Sequence, residues 1–307
     1  MNTITRAKID RIKLFLALSR TPHGLLDMAT PAFAVLLYLQ GFPSPAVIGI
    51  GLLTAFAGYT AVYAFNDIID MRADRKKLEP SERETGSYID SIMVRHPLAQ
   101  GLLNPAEGAA WALGWSAVAL VGAFLLNPVC ALIFLAGAAL ETLYCMLWQI
   151  SPLRAIVSGF VKNMGAVAAL YAVDPHPSPG FALLLFACLF FWEIGGQNIP
   201  ADWEDIERDR RFHARTIPVQ LGEKKAAALA FACLLLAAAL FAALFFLHFS
   251  GTGFPAALLV LAASLFLLLI PGARLYKSRM RPDAMALFNR ASYFPAVMLA
   301  AVLALIV

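Results

Sequence analysis

Nine apolar runs, each long enough or nearly long enough to cross a bilayer, dominate this 307-residue chain. They lie near residues 24–42, 46–66, 107–126, 128–149, 154–173, 180–199, 225–249, 253–271 and 284–307. A spanning helix takes roughly 20 residues. With 60% hydrophobic and 14% charged residues, the chain is too apolar for an ordinary soluble domain. The expected fold class is therefore all-α integral membrane protein, as one domain over residues 1–307. Glu141, Lys162, Glu193 and Arg290 interrupt otherwise apolar spans.

The basic residues predict the orientation. They gather in the N-terminal arm, in 67–106, around 150–162, in 200–225 and in 274–281. The alternate connections near 41–45, 127, 174–179 and 250–252 hold neither Lys nor Arg. By the positive-inside rule, nine spans then put the N-terminus in the cytoplasm and the C-terminus outside. The net charge of +4 reflects this distribution and does not imply nucleic-acid binding. No cleavable leader is expected, because five basic residues precede the first apolar run. Residues 1–20 read as an amphipathic interfacial arm, with Ile4, Ile9, Ile12, Phe15 and Leu16 toward lipid. Cys130, Cys145, Cys188 and Cys233 fall inside apolar runs without zinc-ligand spacing and read as small buried hydrophobes.

The two long polar connections, 67–106 and 200–224, lie on the predicted cytoplasmic side, and each opens with an acidic cluster. Aspartates 67, 70 and 74 repeat the spacing of 202, 205 and 209. Positions i, i+3 and i+7 share one helical face. Like charges so placed make sense with a cation between them. Hard oxygen ligands suit Mg2+, which binds a few carboxylates and completes its shell with phosphate oxygens. The helix dipole favours cations at a C-terminal end, so acids there point to a task. A diphosphate held at a membrane surface is the implied ligand. If it is allylic, its departure leaves a carbocation that needs a dry apolar cavity.

The clusters carry a family resemblance. Asn66-Asp67-x-x-Asp70-x-x-x-Asp74 resembles the first signature of the UbiA superfamily of intramembrane prenyltransferases. Asp202 through Asp209, followed by Arg215-Thr216-Ile217-Pro218, resembles the second. Arg95-His96-Pro97-Leu98-Ala99-Gln100-Gly101 looks like the family's Arg-Pro-Leu-x-Ser-Gly segment, with His96 intervening and Gln100 in place of Ser. The resemblance implies nine transmembrane helices around a central cavity, Mg2+ as cofactor, and a prenyl diphosphate and a lipophilic acceptor as partners.

Carried over by residue, it implies that Asn66, Asp70 and Asp74 bind one Mg2+ and that Asp202, Asp205 and Asp209 bind the second or orient the acceptor. Asp67 either assists from behind these ligands or faces away. Arg154 and Lys162 either clamp diphosphate oxygens or snorkel to the interface. Arg20 either holds an acceptor carboxylate or anchors the first span. Arg72 either touches substrate or pairs with its aspartate neighbours. Tyr144 resembles a family tyrosine near the reacting carbon, and Asn198 adds a polar contact near the metals. Glu193 either pairs with Lys162 or Arg290, or acts as a base. The segment between Asp74 and Arg95 is longer than in the family and reads as a lid. Leu147-Trp148-Gln149 stands where family members acting on 4-hydroxybenzoate carry basic residues, which leaves the acceptor open.

The expected function is Mg2+-dependent prenyl transfer to an aromatic acceptor of the quinone-biosynthesis type. It is placed in the inner membrane of a prokaryote with a cytoplasmic active site. Ether-lipid, haem and chlorophyll-type acceptors are the alternatives within the family. A transporter is disfavoured, because ion sites usually sit near the midplane rather than at one face. A non-catalytic lipid-binding protein is the remaining alternative, and pyrophosphate release separates the enzyme from both.

Overall fold

The computed structural model describes residues 11–77, 92–249 and 251–307, and all regular structure among them is helical. Eight segments are long and apolar enough to cross a membrane: 45–72, 105–126, 128–149, 154–173, 179–204, 217–248, 253–278 and 281–306. They answer to eight of the nine expected runs. The remaining run, near 24–42, is formed by two shorter helices, α2 (Thr21–Asp27) and α3 (Ala29–Leu39). Met28 between them keeps helical angles (φ −60°, ψ −23°), so the chain bends there without turning back.

The other elements are α1 (Arg11–Leu18), α4 (Pro45–Lys77), α5 (Pro105–Leu126), α6 (Pro128–Met146), α7 (Arg154–Val173) and α8 (Pro179–Trp192). They are followed by α9 (Ile199–Glu204), α10 (Ile206–Arg211), α11 (Ile217–His248), α12 (Gly253–Ser264), α13 (Ile270–Ser278) and α14 (Arg281–Ile306). Pro45, Pro105, Pro128 and Pro179 each open a long helix. Proline is preset for that position, and its missing N–H is no loss there. Asn104, Asn127 and Ser178 cap three of these starts by accepting from backbone N–H groups.

One half of the bundle has an aromatic core, in which Phe33, Trp192, Phe241, Phe245 and Phe294 of α3, α8, α11 and α14 are wholly or almost wholly buried. The other half packs on small residues. Ala57, Ala61 and Ala64 of α4 and Ala112 and Ala119 of α5 are fully buried. Small side chains let helix backbones approach closely where lipid supplies no hydrophobic drive. Leu113, Val121, Phe124 and Leu125 of α5 are exposed, as a lipid-facing surface requires.

Two spans contain π-helical turns, Glu193–Asn198 and Leu265–Leu269. The first is pressed between α11 and α14. A Cβ on Gly195 would lie 2.7 Å from the Ala230 carbonyl oxygen, and one on Gly196 would lie 2.9 Å from the Ala291 Cβ. Backbone cannot yield as a flexible side chain would, so Gly195→Ala is expected to cost about 1–3 kcal/mol through overpacking. Thermal unfolding in detergent checks this, and an unchanged Tm would contradict the packing.

Three local expectations are corrected. Helix α1 does not lie with Phe15 toward lipid. It buries Leu14 and Leu18 against Ala64, Leu98 and Leu103, with Phe15 packed alongside, and leaves Ile12 exposed. Ile4 and Ile9 lie outside the described residues. The first acidic cluster is not in a connection, because α4 continues unbroken to Lys77. The second cluster is not one helix: α9 stops at Asp205 (φ −105°, ψ 9°) before α10 begins. Of the expected lid, residues 78–91 lie outside the described residues.

Candidate active site

The two acidic clusters meet around a dipeptide. His96 has left-handed backbone (φ 50°), which is uncommon outside glycine. Its Nδ1 lies 2.8 Å from Asp67 Oδ1 and 2.9 Å from Asp74 Oδ2. Beside it, Arg95 Nη2 lies 3.7 Å from Asp205 Oδ2. One peptide unit therefore ties the α4 cluster to the α9–α10 junction. Burial would depress the His96 pKa, but its contacts with Asp67 and Asp74 outweigh this and raise it above the ordinary value. Ligand atoms of Asp67, Asp74 and His96 lie within 4.8 Å of one another, a spacing one metal ion can bridge.

Arg154, the first residue of α7, is buried at the same end. Its Nη1 lies 3.6 Å from Asp202 Oδ1, and its guanidinium carbon stands 4.1 Å from the centre of the Tyr144 ring. Asp70 and Asp209 are also within its electrostatic reach, so members of both clusters converge on one cation. Asn198 Nδ2 donates to Tyr144 Oη at 3.2 Å. Asp205 additionally pairs with Arg208 in the next turn. Arg72 is exposed on α4.

A second polar layer lies deeper. Asn66 Nδ2 donates to Glu141 Oε1 at 2.6 Å. Lys162 Nζ donates to Asp27 Oδ2 at 2.6 Å and to Tyr63 Oη at 3.3 Å, and Tyr63 also donates to Asp27. At 1.5 Å per residue, Lys162 is about 12 Å along α7 from Arg154. Lys162 thus belongs to the deeper layer, held by Asp27 rather than beside the acidic clusters. Of the two expected partners of Glu193, Lys162 lies within its electrostatic reach, while the Arg290 pairing is corrected. Glu193 Oε1 accepts from Ser158 Oγ at 2.6 Å, while Arg290 reaches the Phe266 carbonyl on an exposed face.

Asn66, Tyr144 and Asn198, with Asp27, Glu141, Lys162 and Glu193 of the deeper layer, line a cavity of about 500 Å³, and Tyr144 joins it to the Arg154–Asp202 pair. It extends past Val62, Gly58, Ala55 and Phe134 to Val47, Pro43 and Phe42 at the other end of α4. Arg20, held in left-handed backbone (φ 43°), lines the same cavity, with its guanidinium carbon 5.9 Å from the Tyr63 ring centre.

Sequence reasoning passed over Asp27, Tyr63, Ser158 and the bridging role of His96. Asp27 carried a signal, since it is an acid inside the apolar run 24–42. Tyr63 and Ser158 carried none, because hydroxyl side chains are ordinary in such helices.

A model of the UbiA prenyltransferase family matches residues 28–294. A Pyrococcus abyssi protein named digeranylgeranylglyceryl phosphate synthase is 27% identical over 217 residues, 70% of this chain and 72% of that one. The apo structure of a UbiA homologue from Aeropyrum pernix K1 superimposes with a TM-score of 0.73 at 22% identity, over 92% of this chain and 97% of the other. A UbiA homologue from Archaeoglobus fulgidus, solved bound to DMAPP and Mg2+, gives 0.70 at 19% identity, over 95% and 98%.

Proposed function

The chain belongs to the UbiA prenyltransferase family, and on that premise we propose that it transfers a prenyl group from a prenyl diphosphate to a lipophilic acceptor with Mg2+ as cofactor. The observation that carries this reading is the meeting of two acidic clusters and two arginines beside the end of a long apolar cavity that Asn66, Tyr144 and Asn198 line. The donor set fits a hard dication. Asp67 Oδ2 and Asn198 Oδ1 are buried acceptors with no hydrogen-bond partner among the described residues. Such atoms are costly to leave bare, and a cation relieves that cost. Asn66, Asp70, Asp74, Asp202, Asp205 and Asp209 are the proposed ligands, with Asp67 beside them. Mg2+ held there supplies charge neutralisation for the departing diphosphate.

The chain's own side chains do the rest. Arg154, buried beside Asp202, adds positive charge where negative charge develops, and its desolvated setting strengthens that attraction. Tyr144, held by Asn198 and stacked under Arg154, marks the site of the reacting carbon. The cavity below takes the prenyl tail and excludes water from the allylic cation. From Val47 to Asn66, α4 lines it over about 28 Å at helical rise, which suits a long tail. Ala55→Trp, halfway down, is therefore expected to lower kcat/KM for a twenty-carbon diphosphate at least tenfold while sparing a five- or ten-carbon one. Comparing chain lengths in one assay checks this, and an equal loss for all lengths would contradict it.

For the acceptor, the names of the relatives favour the hydroxyl of a prenylated glyceryl phosphate over the quinone-type aromatic ring expected from the sequence. Both carry an anion, for which Arg20 is the proposed contact. The proposed setting is a prokaryotic inner membrane, with the acidic end cytoplasmic and residues 1–307 acting as one unit. The test is pyrophosphate release from protein in lipid, with and without Mg2+, with glyceryl phosphate lipids and aromatic acids as rival acceptors. Mg2+-dependent release with prenylated product supports the reading. No release from folded protein with any acceptor rejects it.

A further inference from the structure

We propose that Glu193 takes the proton from the acceptor as the new bond forms, an assignment that rests on the prenyl-transfer reading above. The nucleophile approaches C1 of the prenyl group on the side away from the leaving diphosphate. With diphosphate at the acidic end, the acceptor and its base lie deeper in the cavity. The aspartates of the two clusters stand on the leaving-group side and are badly placed for this proton.

Three acids line the deeper layer of the cavity: Asp27, Glu141 and Glu193. Asp27 Oδ2 is engaged by both Lys162 and Tyr63. Glu141 accepts from Asn66 at 2.6 Å. Glu193 is different. Its side chain is held by Ser158 Oγ at 2.6 Å through Oε1, and Oε2 is buried with no hydrogen-bond partner among the described residues. The residue is only 4% exposed and lines the cavity, so that bare oxygen costs free energy until a donor arrives. An acceptor hydroxyl is such a donor.

The level also fits. Ser158 is four residues into the membrane from Arg154 on α7, about 6 Å at helical rise. Glu193 therefore lies one turn below the Arg154–Asp202 pair, where the first carbon of a diphosphate ester held at that pair would reach. It begins the π-helical turn, a distortion that recurs at functional sites. The step balances. The C1–O bond of the prenyl diphosphate breaks and its electron pair leaves with the diphosphate. A bond forms between C1 and the acceptor oxygen or ring carbon. The acceptor's proton passes to Glu193 Oε2, while Ser158 keeps the carboxyl group oriented.

The experiment compares wild type with Glu193→Gln, Glu193→Asp and Glu193→Ala in lipid nanodiscs. It reads transfer kinetics and, separately, the Kd of a non-reacting prenyl thiolodiphosphate with Mg2+. Glu193→Gln is expected to lose about a hundredfold or more in kcat, as for a general base, with the thiolodiphosphate Kd within threefold of wild type. Glu193→Asp should recover part of the rate, and formate should partly rescue Glu193→Ala. Two results overturn the assignment: a Gln variant within threefold of wild-type kcat, or a rate loss matched by lost thiolodiphosphate binding. A wild-type protein that binds the analogue but transfers to no acceptor overturns the prenyl-transfer reading itself, and the role of Glu193 with it.

Discussion

Asp70→Ala is expected to lower prenyl transfer about a thousandfold, while the protein still folds. Asp70 is half-buried on the last turns of α4, one helical turn beyond Asn66 and one before Asp74. In the proposed reaction its carboxylate holds the cation that neutralises the leaving group. Removing one preorganised group of that kind costs about a hundred- to a thousandfold in rate, and a ligand removed from a shared cation acts at the upper end. Because α4 is one continuous helix here, alanine does not break it; alanine has the best helix propensity. The measurement is kcat at saturating Mg2+, together with Mg2+ affinity by calorimetry. A variant that keeps most of its rate, or binds Mg2+ unchanged, would remove Asp70 from the metal site.

Arg154→Ala has the second large effect, and it falls on both stability and rate. Arg154 and Asp202 are each under 10% exposed, with 3.6 Å between their charged atoms. Deleting one partner of a buried ion pair leaves the other uncompensated, which costs about 3–5 kcal/mol. The loss is compounded by the Tyr144 ring, which gives up its stacked cation. Unfolding in detergent should show the drop, and Asp202→Asn on the same background should recover part of it by removing the stranded charge. If Arg154→Ala unfolds at the wild-type midpoint, the pair does not hold this end together. Lys at this position keeps a charge but loses the flat guanidinium that stacks on Tyr144, so it should restore stability better than rate.

How far the sequence could be read follows from the range of each interaction. Apolar length is a local property, so eight of the nine runs are visible as spanning helices. The acidic spacing on α4 is also local, and the helix carries 67, 70 and 74 as their period predicts. The break at Asp205 was hidden, because nothing between Asp202 and Asp209 is a glycine or proline to announce it. Bonds across the bundle were hidden too. Lys162 and Asp27 are 135 residues apart, and Glu193 and Ser158 are 35 apart. A side chain's partner on another helix depends on rotation about both axes, and composition does not encode it. That is why Lys162 read as either a diphosphate clamp or a snorkelling lysine, while its bond to Asp27 in the deeper layer stayed out of view. His96 shows the reverse. As an extra residue inside a motif it looked like a blemish, yet it bridges Asp67 and Asp74.

The Arg95–His96 unit also bears on how such a chain can drift over generations. Two neighbouring residues each grip a different acidic cluster, so a change that loosens one grip alters the other through a single shared peptide bond. Residues in one charge network couple by about 0.5–3 kcal/mol. Positions 67, 74, 95, 96 and 205 therefore form a linked inheritance. A lineage that replaces the histidine is under pressure to revise the acids facing it, and neutral wandering at any one of the five is narrowed by the other four.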